Sequence, residues 1–62
     1  MEIHQLEQGA KLKRDKSIQA IAFASQGRWK EAVATNEELL KAFPDDVESL
    51  NRLGKAHSET GH

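Results

Sequence analysis

Sixty-two residues, 37% hydrophobic and 31% charged, make one small domain, because a chain of this length cannot hold two separately buried cores. A formal net charge of −1 and a pI near 6.3 argue against a chain dominated by nucleic-acid attraction, and the absence of cysteine removes disulfides as a source of stability. Mean hydropathy is −0.72, no apolar run approaches the roughly 18 residues of a membrane span, and no signal peptide follows Met1, so the expected compartment is the cytoplasm.

In chain order, residues 1–12 form an N-terminal extension in which Ile3, Leu6 and Ala10 keep helical steps of three and four. Gly9 weakens it by about 1 kcal/mol relative to alanine. Ser17 to Ser25 is rich in alanine and apolar on more than one side, which predicts a helix buried on two faces. Gly27 interrupts. From Trp29 the apolar residues Ala32, Val33, Leu40 and Phe43 follow on one helical face, and the helix must stop before Pro44, whose ring excludes the helical conformation ahead of it. Asp45 with Glu48 three residues later predicts a capping-box start for a last helix. On that helix Val47, Leu50, Leu53, Gly54 and His57 share a face, and Gly61 is placed to end it in the left-handed conformation. The predicted fold class is therefore all-α: an antiparallel helix hairpin from 13 to 42 with a third helix stacked from 47 to 60.

Sliding the chain against itself by 34 residues pairs Ala20 with Gly54, Ala22 with Ala56, Phe23 with His57 and Gly27 with Gly61. A 34-residue period of helix, glycine turn, helix and proline resembles the tetratricopeptide repeat. The resemblance makes residues 13–46 one helix-turn-helix repeat and 47–62 the first helix of a second, carried by Ala20, Phe23, Gly27, Trp29, Ala32 and Pro44, then Leu50, Leu53, Gly54 and Gly61. Small residues at Ala20, Ala32 and Gly54 are expected where helix axes cross closely, with Phe23 and Trp29 filling the space beside them. Trp29→Ala is expected to cost about 3–5 kcal/mol. Four positions depart from the pattern: Lys16 and Gln19 stand where the second unit has Leu50 and Leu53, and Asn36 and Leu39 replace the usual aromatic and alanine. One and a half repeats fall short of the three or so normally needed to bury a continuous core, which points either to a longer repeat array or to association of copies through the stripe Val47, Leu50, Leu53 and His57.

The resemblance also implies a concave partner groove for a protein or peptide. By position it carries Arg14, Ser17, Ile21 and Ala24 from the first helix and Glu48, Asn51, Lys55 and Ser58 from the last. Ser17 and Ile21 replace the lysine and asparagine by which some relatives grip a terminal carboxylate, so that specialised use is not implied. No cofactor is expected. His4, His57 and His62 have no pair at the i, i+4 spacing of a helical metal site, and no serine sits beside a recognisable base, so neither a metal site nor catalysis is expected. Charge is lopsided: Lys11, Lys13, Arg14, Lys16, Arg28 and Lys30 face only Asp15 between residues 10 and 30. That edge reads first as a solvated helix flank and second as a patch for nucleic acid or acidic peptide, without the interleaved aromatics of a base-stacking platform. The expected function is a non-catalytic protein-interaction module, with a small nucleic-acid-associated or regulatory protein as the alternative and no membrane partner.

Overall fold

The computed structural model describes residues 3–61, with side chains from residue 8 onward. The secondary structure of these residues is three helices, α1 (Ile3–Ser25), α2 (Trp29–Ala42) and α3 (Val47–Glu59). The fold is all-α. α2 lies between its neighbours, packed on α1 along one side and on α3 along the other, while α1 meets α3 only marginally.

The extension expected at 1–12 and the first helix of the hairpin are one element, since α1 runs 23 residues without a break. Gly9 is carried inside it because Leu, Glu, Ala and Lys around it are strong helix formers. At about 1.5 Å per residue α1 is about 34 Å long against about 21 Å for the 14 residues of α2, so it overhangs its partner and sets the 44 Å long axis of the molecule.

The α1–α2 turn follows from Gly27, whose φ is +73°. Its N–H donates to the Ala24 carbonyl at 3.0 Å and the Arg28 N–H donates to the Phe23 carbonyl at 2.8 Å, the paired bonds of a Schellman motif that satisfy carbonyls the helix end leaves open. The Arg28 guanidinium then lies over the Phe23 ring, 5.0 Å from its centre. α2 ends at Phe43, whose N–H reaches the Leu39 carbonyl at 2.7 Å just ahead of Pro44. α3 starts at Val47, where the sequence predicts, but on a different cap. Its N-cap is Asp46, and the side-chain partner three positions on is Ser49, whose hydroxyl donates to the Asp46 carboxylate, rather than Glu48. Gly61 leaves α3 at φ +87°, as its position predicts.

Among the described residues the fully buried apolar side chains are Ala20, Ala32, Leu39 and Ala56. Ala20 and Ala32 are the small residues expected at the crossing. Gly54 is not: it is exposed, and a Cβ there would meet nothing within 4 Å. Ala56 is the buried small residue of α3 instead. The buried face of α2 is Ala32, Thr35, Asn36 and Leu39, a spacing of i, i+3, i+4 and i+7 that apolar residues alone do not reveal. Thr35 and Asn36 enter it because they donate to carbonyls of their own helix, Glu31 and Ala32, at 2.8 Å each, which removes the penalty of burying an unpaired polar group. Phe23 and Trp29 are half-buried at the flanks. α1 is not covered on two faces. Ile18 and Ile21 are both exposed.

These placements separate two glycines. Gly27→Ala is expected to lose about 1–2 kcal/mol, the cost of forcing an L-residue into the left-handed region, whereas Gly54→Ala is expected to gain about 0.5–1 kcal/mol from helix propensity without a clash. Urea unfolding of both variants, followed by helical circular dichroism, reads the opposite signs.

Candidate functional site

Three helices laid side by side leave a trough where the outer two flank the middle one. On α1, Ile21, Ala24 and Ser25 fall at i, i+3 and i+4; on α3, Asn51 and Lys55 fall at i and i+4; on α2, Trp29, Ala32 and Asn36 form the floor. With Arg52 they line an open groove of about 490 Å³. The walls at Ile21, Ala24, Trp29 and Ala32 are apolar, and the α3 rim is polar and cationic.

Four of the eight residues that the sequence places in a partner groove line it: Ile21, Ala24, Asn51 and Lys55. Arg14, Glu48 and Ser58 are exposed and lie outside the lining. Ser17 stands just behind it, its hydroxyl accepting from Arg52 at 3.5 Å. Trp29 and Ala32, expected as packing residues, line the groove as well.

Arg52 is the residue that sequence patterning missed. Its Nε donates to Asn36 Oδ1 at 3.0 Å, and its guanidinium also reaches Ser49 Oγ at 3.1 Å and Ser17 Oγ. One side chain on α3 thereby ties itself to both other helices. Asn36 is suited to the role because its amide nitrogen is engaged by the Ala32 carbonyl, which turns its oxygen towards Arg52. All three oxygens that accept from Arg52 are neutral, so among the described residues no carboxylate pairs directly with its guanidinium at the groove edge. Asp46 stands beyond Ser49; the Ser49 hydroxyl above all, with Lys13 and Arg52 adding positive charge, holds its carboxyl below the usual aspartate range.

The basic edge is largely engaged within the fold. Lys16 bonds Glu38 at 2.7 Å and so links α1 to α2, Arg28 bonds Glu31 at 2.7 Å, Lys13 approaches Asp46 at 3.7 Å and Arg14 approaches Asp15 at 3.9 Å. The Glu38 and Glu31 carboxyls are held low by these hydrogen bonds from Lys16 and Arg28. Lys13 also lies 5.7 Å from the centre of the Phe43 ring, beside a shallow hollow that includes Pro44, Asp45 and Asp46.

In the stripe expected for self-association, Val47 and Leu50 are exposed, whereas Leu53 and His57 are half-buried. His57 borders a smaller crevice of about 180 Å³ with Lys30, Val33 and Thr60. Among the described residues no group of three histidine, aspartate or glutamate side chains converges as metal ligands would. The His4 side chain and His62 lie outside the described residues. Among those residues no helix is long and apolar enough to cross a membrane. No protein-family model matches the chain, and neither a curated protein nor a solved structure matches it.

Proposed function

We propose that the chain is a non-catalytic protein-interaction module of the tetratricopeptide-repeat kind, and that the groove between α1 and α3 holds a segment of a partner protein. The observation that carries this reading is the composition of the groove: an apolar floor and wall of Ile21, Ala24, Trp29 and Ala32 against a donor-rich rim of Asn51, Arg52 and Lys55. Its volume of about 490 Å³ falls in the 300–1,000 Å³ range typical of ligand sites. The 34-residue self-match between α1 and α3 supports the repeat character. A fitting segment brings an apolar side chain to Trp29 and a carboxylate or backbone carbonyls to the α3 rim.

Trp29 is the only tryptophan of the chain, which supplies the assay. Displayed random peptides selected on the intact protein are expected to converge on apolar-acidic sequences. Their binding should shift Trp29 emission and be lost in Ile21→Glu, which places a like charge against the acidic ligand in an exposed position. Peptides that bind Ile21→Glu as well as the unaltered chain contradict this function.

A further inference from the structure

Among the described side chains, the large hydrophobic ones left exposed are Leu12, Ile18, Ile21, Val47 and Leu50, all on α1 and α3 and none on α2. Four of them form two patches of opposite electrical character. On α1, Lys11, Arg14, Ile18 and Ile21 follow at steps of three, four and three, which puts them on one side of the helix; both cations are exposed, and Ile18 and Ile21 keep 59% and 53% of their surface. At the start of α3, Val47 and Leu50 keep 63% and 50% and are accompanied by Asp45 and Glu48, both exposed. Neither acid takes part in an ion pair among the described residues. One patch is apolar and basic, the other apolar and acidic.

We propose that the occupant of each patch is a second copy of this chain, joined head to tail, with the Lys11–Arg14–Ile18–Ile21 stripe of one copy covering the Asp45–Val47–Glu48–Leu50 patch of the next. Charge selects this pairing. Two α1 stripes, or two α3 patches, bring surfaces of the same sign together, whereas the heterologous pairing brings unlike signs together over apolar centres. The need for cover is already present in the fold, because four fully buried apolar residues, three of them alanine, make a small core. A heterologous contact uses a different surface on each partner and closes only as a ring, otherwise continuing as an open chain. The mean mass is therefore expected to keep rising with concentration rather than level off at two chains, and added salt is expected to lower it.

The test uses two variants of the intact chain, Ile18→Glu on the α1 stripe and Leu50→Glu on the α3 patch. Both sites are exposed and outside the groove lining, and Ile21, which belongs to both surfaces, is left unaltered in both variants, so loss of assembly and loss of peptide binding are read apart. Helical circular dichroism verifies that each variant folds, and sedimentation velocity between micromolar and millimolar concentration measures mass. Head-to-tail contact predicts that each variant alone stays a single chain while an equimolar mixture forms pairs, since each retains the surface the other lacks. Three results would overturn it: an unaltered chain that stays single at millimolar concentration, a mixture that fails to pair, or assembly abolished by Leu50→Glu and untouched by Ile18→Glu, which is the signature of an α3-to-α3 dimer. Should either variant lose helix, Ile18→Gln and Leu50→Gln repeat the comparison without introducing charge.

Discussion

Leu39→Ala is expected to lower stability by about 2–5 kcal/mol, the usual range for truncating a buried leucine with incomplete collapse of the cavity. Leu39 is the largest fully buried side chain of the described residues and stands on the middle helix, which packs against both α1 and α3. A chain of 62 residues at about 0.05–0.15 kcal/mol per residue has about 3–9 kcal/mol in total, so the variant is expected to be substantially unfolded without a stabilising additive. Trp29→Ala, for which the sequence suggests about 3–5 kcal/mol, is expected to cost less than Leu39→Ala, because Trp29 is half-buried and its outer edge opens onto the groove. Urea titrations compare the two directly; a larger loss for Trp29→Ala contradicts the packing described for α2.

Arg52→Met is the second change of large effect. Methionine keeps much of the aliphatic stem but removes the bonds to Asn36, Ser49 and Ser17, leaving the buried Asn36 oxygen without its donor. A hydrogen bond from a charged group contributes about 1.5–3 kcal/mol, and a loss of that order is expected. Because the partners act together, Arg52→Met and Asn36→Ala are expected to be non-additive, with a coupling of about 0.5–3 kcal/mol in a double-mutant cycle. Amide exchange locates the damage: α3 amides are expected to lose more protection than those of α2. A coupling of zero means that the two side chains do not act on each other in solution.

What the sequence discloses divides along a physical line. Helix ends are legible because they rest on single residues with special backbones: Pro44 stops α2, and Gly27 and Gly61 take positive φ. The half of the groove formed by Ile21, Ala24, Asn51 and Lys55 is legible only through the resemblance, which implies a partner groove at those positions of the first and last helices. Arg52, Asn36 and Ser49 are not legible, since polar residues read as solvent-facing until a fold brings their donors and acceptors together. The same blindness rotates the expected face of α2, which counted Leu40 and passed over Asn36 and Leu39. Gly54 misleads for the opposite reason: a small residue at a repeat position suggests a close crossing, but nothing approaches it. At the start of α3, Asp45 and Asp46 are adjacent candidates for the cap, and the choice falls to Asp46, whose carboxylate meets both Ser49 and Lys13.

Arg52 fastens α3 across α2 to α1 and so shapes the groove. Nuclear Overhauser spectroscopy of the intact protein reads these contacts in solution. Cross-peaks from the Arg52 Nε proton to the Asn36 side chain, and from the Arg52 guanidinium to the Ser17 side chain, are the predicted result. A spectrum in which α3 is helical and Arg52 gives cross-peaks only within its own helix contradicts it.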